Sequence, residues 1–283
     1  MGIDANADQI EYWNEVSGPK WVAMQEDLDT QLVPLMEALL EFTDAQRGDS
    51  ILDIGCGCGA STLAFAEVVG AEGRVGGLDV SRPMLDHALG RATAAGFEHV
   101  SFRQGDAQVA ELDRGAYDHV VSRFGIMFFD DPAAAFANLR SALKPDGDLT
   151  FICWRPITEN PWMTIPAMAA AQFLEMPGPP EPNAPGPFGL ADEVYTREQL
   201  EAGGFTDVTM EPFTLKMHAG PGGSLEASAD FATKIGPVSA LLRDANEETV
   251  TKVRASIVEA LRAHEGEDGV KLDFATWLVR ARG

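Results

Sequence analysis

The segment Asp53-Ile54-Gly55-Cys56-Gly57-Cys58-Gly59 constrains this chain more than any other feature. It closes the short apolar run Ser50-Ile51-Leu52, which has the character of a buried strand. Three glycines at alternate positions let the backbone turn sharply and let a ligand come close. Ala60 to Val69 then carries a helical pattern, and the first turn of such a helix presents free N–H groups. Strand and helix patterns then alternate as far as Trp154. Strands are expected at Arg74 to Val80, Val100 to Arg103, Tyr117 to Ser122 and Leu149 to Trp154. Helices are expected at Pro83 to Ala95 and Pro132 to Leu143, each with an early proline that suits a first turn. Lys144-Pro145-Asp146-Gly147 reads as a turn before the fifth strand. This alternation predicts a parallel sheet with helices on both faces, its ligand site beyond the carboxyl ends of the strands, near the first one.

The flanks differ. Ile10 to Met24 and Leu28 to Phe42 read as helices, the second with Leu32, Leu35, Met36, Leu39 and Leu40 at helical spacing. Pro177 to Pro187 holds six prolines in eleven residues and breaks all regular structure. Beyond it lie a short helix at Thr196 to Ala202, with Thr196 as N-cap and Gln199 three residues on, a strand at Asp207 to Met217, a largely helical stretch from Ser224 to His264, and a final strand at Phe274 to Arg280. The division expected is an N-terminal helical lid (1–45), a core (46–156), a Pro-rich loop with the sixth strand (157–223), a helical cap (224–270) and the last core strand (271–283).

The 283 residues suffice for one large α/β domain with a cap. A net charge of −23 repels phosphate backbones and anionic bilayers, so the partner expected is a small molecule rather than nucleic acid or membrane. Three cysteines, Cys56, Cys58 and Cys153, suit a reducing compartment, and neither a signal peptide nor a long apolar run is present, so the cytoplasm is the expected location. Cys56 and Cys58 lack companion ligands at metal-binding spacing, so no metal is expected.

Gly55, Gly57 and Ala60 satisfy a loose dinucleotide fingerprint, which leaves a nicotinamide-dependent oxidoreductase as an alternative. Asp53 argues against it. A carboxylate at the ligand-facing end of the strand repels a pyrophosphate, whereas S-adenosylmethionine brings an α-ammonium and a sulfonium. At this point Ile51 to Gly59 resembles motif I of the class I, Rossmann-like S-adenosylmethionine-dependent methyltransferases. Within that class residues 10 to 165 resemble the quinone-biosynthesis branch and the generic group around it. The resemblance implies a seven-stranded sheet of order 3-2-1-4-5-7-6 with the last strand antiparallel, helices on both faces and a helical cap. It implies that Asp79 accepts both ribose hydroxyls, that Val80 lies beside the adenine, and that Asp106, followed by Ala107, lies near the adenine amino group. It places the transferred methyl near Ser122-Arg123-Phe124-Gly125. Trp21, Gly55, Cys56, Gly57 and Met84 complete the expected cofactor set.

The activity implied is in-line transfer of a methyl group to a small-molecule oxygen or carbon, achieved by positioning and desolvation, so no general base is required. A non-catalytic cofactor-binding module remains a further alternative. His218 and His264, in the cap region, are weak candidate bases; His87, His99 and His119 fall on scaffold elements. Substrate candidates are Trp13, Arg123, Phe124, Met127, Trp154 and Trp162. For Trp13 and Trp21 the choice lies between helix packing and a pocket wall; for Phe124, Met127 and the two later tryptophans, between core or loop anchor and pocket wall. For Arg123 it lies between holding a carboxylate and forming an ion pair. A homodimer through the cap is an expectation by analogy alone.

Overall fold

The computed structural model describes residues 5–178 and 181–283, so Pro179 and Pro180 of the Pro-rich stretch lie outside the described residues. The elements in chain order are α1 (Ala7–Tyr12), a π-helical turn (Trp13–Ser17), α2 (Gly18–Ala23), α3 (Gln25–Thr43), β1 (Ser50–Ile54), α4 (Ala60–Val69), β2 (Arg74–Asp79), α5 (Arg82–Ala95), β3 (Val100–Gln104), β4 (Tyr117–Arg123), α6 (Pro132–Ala142) and β5 (Leu143–Trp154). Then follow α7 (Pro161–Ala170), α8 (Glu193–Ala202), β6 (Thr206–His218), α9 (Leu225–Lys234), α10 (Pro237–Leu241), α11 (Glu247–Leu261), β7 (Glu265–Gly266) and β8 (Gly269–Arg282).

The strands pair in the order β3-β2-β1-β4-β5-β8-β6. That is the expected 3-2-1-4-5-7-6; the last long strand is eighth by count only because the two-residue β7 precedes it and pairs with it. β1 to β5 are parallel. β8 runs antiparallel to β5, with Gly283 N donating to Gly147 O and Arg155 N to Ala275 O. Central strands of a sheet covered on both faces are buried on both sides, as β1 and the second half of β5 are; β3 and β6, the edges, are mostly exposed.

Two compact units divide the chain: Met1–Trp154 with Pro182–Pro212 and Trp277–Gly283, and Arg155–Glu181 with Phe213–Thr276. In the first, Leu28, Leu32, Leu35, Met36 and Leu39 form the buried stripe of α3, which packs on β4 and β5 and beside α4. α6 packs on the same two strands and beside α8, where Phe136 meets Phe151 and Phe205. In the second unit α7, α9, α10 and α11 pack together around Val253, Ile257 and Ala229.

Several expectations are corrected. α3 is a packed layer of the sheet unit, so the segment expected as a lid, 1–45, contains a scaffold helix. The stretch expected as one piece, 157–223, is shared between the units, because α7 packs on α9 and α11 whereas Gly186 N donates to Met127 O and Cys153 Sγ contacts Leu190 O. α7 itself was not foreseen; Pro161 opens it and Pro166 lies inside it. The N-cap of α8 is Asp192, which accepts from Tyr195 N, whereas Thr196 is inside the helix and donates to Leu190 O. Lys144 to Gly147 is a bulge within β5 rather than a turn before it: Tyr117 pairs with Leu143 and His119 with Asp148, so one residue of β4 faces four of β5.

His119 ties the amino ends of these strands together. Its ring nitrogens lie 2.7 Å from Asp148 Oδ1 and 3.4 Å from Asp49 Oδ2. Burial depresses its pKa, but the two carboxylates outweigh burial and raise it above the ordinary value. A raised folded-state pKa gives stability that is full below the unfolded pKa of about 6.5 and is lost as pH rises through the folded value. The stability lost in His119→Gln is therefore expected to be larger at pH 5.5 than at pH 8.5 in urea unfolding. Equal losses at the two pH values contradict this role.

Candidate active site

The site forms where β1, β2 and β4 end. Gly55, Gly57 and Gly59 all have positive φ, at +63°, +54° and +82°, as a chain reversing directly into α4 requires. Gly55 also meets Gly125 after β4: a Cβ at Gly55 would lie 2.5 Å from Gly125 Cα. The residue before Gly125, Phe124, is held at φ +65°, a costly backbone for a side chain of this size. Its ring stacks on Trp154 at 4.3 Å and 12°, which fixes the strained residue in place. Ser122 joins the two strand ends, donating to Ile54 O and accepting from Gly125 N.

Asp53 is fully buried. Its Oδ2 accepts from Ser61 Oγ and Thr62 Oγ1, both at 2.7 Å. Its Oδ1 has no partner among the described residues. Burial pushes its pKa up to about 6, against the lowering effect of Thr62, Ser61 and Arg123. A buried carboxylate with a bare oxygen is costly unless a donor arrives.

Asp79 is buried at the end of β2. Its Oδ2 accepts from Gly57 N and its Oδ1 from Ser81 N, each at 2.8 Å, so it shapes the glycine turn as well as facing the site. Burial raises its pKa, against these backbone donors. Met84, buried in α5, brings its sulfur beneath Gly57. Cys56 and Cys58 are buried free thiols, both raised by burial, Cys58 to about 12; they fill the turn and are inert at neutral pH. No group of three or more potential metal ligands exists among the described residues.

The segment before α3 covers these strand ends. Asn14 Nδ2 donates to Val80 O, and Ser81 Oγ donates to Trp13 O. Trp13 makes edge contacts with Tyr12, Trp21 and Phe128, on a π-helical turn of the kind often found at functional sites. Asn6 reaches further, donating from Nδ2 to Asp106 Oδ2 at 2.8 Å and to Gln108 Oε1 at 3.1 Å. Asp106 also accepts from Gln108 N, and Ala107 beside it is buried.

The sheet unit thus brings together Trp13, Trp21, Asp53, Gly55, Cys56, Gly57, Asp79, Val80, Met84, Asp106, Ala107, Ser122, Arg123, Phe124, Met127 and Trp154. Met127 is buried and its carbonyl receives Gly186 N, which makes it a packing residue. Trp162, His218 and His264 belong to the other compact unit. Trp162 stacks on Phe274 and donates to Asn160 Oδ1, His218 ends β6, and His264 is exposed on a 3-10 turn after α11. Sequence reasoning missed Asn6, Asn14, Asp29, Ser61 and Thr62. The hydroxyls at the first turn of the helix behind a buried strand acid were a readable signal; the contacts of Asn6 and Asn14, from distant parts of the chain, were not.

Comparison with known proteins agrees with this geometry. Residues 51–147 match the family model described as a methyltransferase domain. A 114-residue stretch, 40% of this chain, is 35% identical to nocamycin O-methyltransferase of Saccharothrix syringae, covering 41% of that protein. Over 109 residues, 38% of this chain, it is 33% identical to demethylmenaquinone methyltransferase of Staphylococcus epidermidis, covering 44% of it. The chain spans less than half the length of each of these two relatives. The fold matches that of the Bacillus subtilis YcgJ protein at a TM-score of 0.56 and 15% identity, over 87% of this chain and 97% of that one. No helix among the described residues is long and apolar enough to cross a membrane.

Asp53 sets a stability test. With its pKa raised in the fold, its contribution is full below the unfolded value near 4 and is lost as pH rises through about 6. Asp53→Asn, which can still accept from Ser61 and Thr62, is expected to be more stable than the wild type at pH 7.5, by at most on the order of 3 kcal/mol. The gain should shrink at pH 5. A destabilised variant at pH 7.5, measured by thermal or urea unfolding of ligand-free protein, contradicts this account.

Proposed function

We propose that this chain, whose residues 51–147 belong to the methyltransferase-domain family, binds S-adenosylmethionine at the ends of β1, β2 and β4 and transfers its methyl group to a small-molecule acceptor. The observation that carries the reading is the bare, buried Oδ1 of Asp53 beside a glycine turn. A carboxylate oxygen in that place suits an ammonium and opposes a pyrophosphate, which also weighs against a nicotinamide cofactor. S-adenosylmethionine, when bound, supplies a methyl group on a sulfonium and a neutral thioether leaving group. The chain's residues supply the rest. Asp53 holds the α-ammonium, and Asp79 offers its remaining lone pairs to the ribose hydroxyls. Val80 and Met84 border the adenine, and Asp106 faces its amino group. Trp13 and Trp21 roof the site, and Phe124 with Trp154 walls it on the β4 and β5 side, so that water is excluded from the reacting atoms.

Among the described residues of the sheet unit, His119 is engaged with Asp148 at the opposite end of the strands, His87 lies near Gln25 Oε1 and His99 near Ala66 O. A mechanism of alignment and desolvation, which needs no general base, fits that arrangement. The acceptor in this reading is an acidic group, such as a carboxylic acid, phenol or enol, that has given its proton to solvent before transfer, so that an oxygen or carbon anion takes the methyl; the similar proteins are named as nocamycin O-methyltransferase and demethylmenaquinone methyltransferase. Residues 5–24, whose Trp13 and Asn14 contact the segment after β2, act as the lid. The net charge of −23 continues to weigh against a nucleic-acid acceptor.

Calorimetry tests the reading. The wild type is expected to bind S-adenosylmethionine and S-adenosylhomocysteine with micromolar-range affinity, about −8 kcal/mol, and to bind neither NAD nor NADP. Preference for the nicotinamide compounds overturns it. Asp79→Ala is expected to weaken S-adenosylhomocysteine roughly tenfold or more and to lower stability by about 1–3 kcal/mol, because two backbone donors lose their acceptor. An ammonium beside Asp53 lowers its pKa, so affinity should fall between pH 7 and pH 5. A flat affinity over that range removes Asp53 from the ammonium role.

A further inference from the structure

We propose that the Arg123 guanidinium is an anion receptor of this site, its ligand the carboxylate or enolate oxygen of a bound small molecule. Arg123 ends β4, two residues beyond Val121, which pairs with Asp53 of β1. The two side chains therefore leave neighbouring strands at the same end of the sheet. The Arg123 side chain is only 11% exposed. Among the described residues its one acidic neighbour within ion-pair range is Asp29 of α3, with 3.9 Å from Nη2 to Oδ1, beyond hydrogen-bond reach. The other oxygen of Asp29 is already engaged by Arg91 Nη2 at 2.8 Å and Gln25 Nε2 at 2.5 Å. Among the described residues Arg123 makes no hydrogen bond.

A guanidinium carries five N–H donors and keeps its charge in proteins. With 11% of the Arg123 side chain exposed and no protein acceptor among the described residues, its donors are left to the little solvent that reaches them and are open to a ligand. Acids are abundant in this chain, 44 Asp and Glu against 21 Lys and Arg, yet none among the described residues closes on Arg123. Beside it the stacked rings of Phe124 and Trp154 form an apolar wall that strengthens any charge pairing made there. Asp53 presents the complementary deficiency, a bare acceptor where Arg123 has bare donors. Both needs are met by ligands that carry charge at this point.

Two sources supply such an oxygen: the α-carboxylate of the methionine tail of the cofactor, and an acidic group of the acceptor. The first rests on the cofactor reading above; the second does not depend on which end of the cofactor binds where.

The test uses the full chain and three probes: S-adenosylhomocysteine, 5′-methylthioadenosine, which lacks the amino-acid tail, and benzoate with and without saturating S-adenosylhomocysteine. If the tail is the source, Arg123→Met weakens S-adenosylhomocysteine roughly tenfold to hundredfold and leaves 5′-methylthioadenosine unchanged. If the acceptor is the source, the variant keeps both nucleosides and loses benzoate. Arg123→Lys, which retains the charge without the fork, weakens the same probe by a smaller factor and serves if the Met variant fails to fold. Asp29→Asn removes the loose ion pair and should leave anion binding equal or tighter. Wild-type affinities for S-adenosylhomocysteine and benzoate in folded Arg123→Met overturn the proposal, as does Asp29→Asn reproducing its losses, the signature of a structural ion pair. Should the wild type bind neither nucleoside, the cofactor reading fails by itself, and benzoate binding to wild type and variant decides the anion receptor.

Discussion

Two backbones meet at the ends of β1 and β4, and the site is organised by that approach. Gly55 and Gly125 are so close that neither position has room for a Cβ. The contact draws the glycine turn over the sheet, aims the first turn of α4 back at Asp53, and forces Phe124 into a left-handed backbone. Strain of this kind persists only where the surroundings over-determine it. Here the restraints are visible: Ser122 bridges Ile54 O and Gly125 N, Phe124 N donates to Ile152 O, and the Phe124 ring lies flat on Trp154. The consequence is a rigid corner whose unmet needs are electrostatic. Asp53 Oδ1 lacks a donor and Arg123 lacks an acceptor among the described residues.

The same corner explains which parts of the molecule were legible from the chain alone. Buried parallel strands declare themselves as short apolar runs, and an acid at the end of each, Asp53, Asp79 and Asp106 at or near it, is a local signal. A resemblance to known methyltransferases then supplied the strand order. What stayed hidden depends on distance. Asn6 reaches Asp106 across 100 residues and Asn14 reaches Val80 across 66. No local pattern marks either asparagine. The bulge at Lys144 to Gly147 was read as a turn because its residues are turn formers; the pairing of Asp148 with His119 brings the chain back into the ladder after it. Thr196 was taken for a cap for a similar reason, and Asp192, four residues earlier, has the better placed oxygen.

The helical unit was the least legible region. Its helices have ordinary amphipathic spacing, and α7, with prolines at 161 and 166, lies in the stretch expected as a Pro-rich loop. A proline in the first turn suits helix initiation, and Pro166 is only the sixth residue of α7, so few intrahelical hydrogen bonds are lost. The region instead reads as a packing problem solved by Val253, Ile257 and Leu261 of α11 against α7 and α9. Packing of that sort says how the unit holds together.

The arrangement of charge carries a last step. A chain with 23 excess negative charges sits in a field that favours cations and opposes acids. For a cationic ligand that field is favourable, and the buried carboxylate of Asp53 adds to it where dielectric screening is weak. For an acidic ligand oxygen the field is adverse, and a local cation is needed to overcome it. Arg123 is the cation placed at that corner, held by burial and by the distant Asp29 without being neutralised by a close contact. One largely covered guanidinium in an acidic protein thus has two effects in the reading proposed above. It lowers the pKa of Asp53, which keeps more of that carboxylate ionised, and it offers a counter-charge to a negative ligand oxygen.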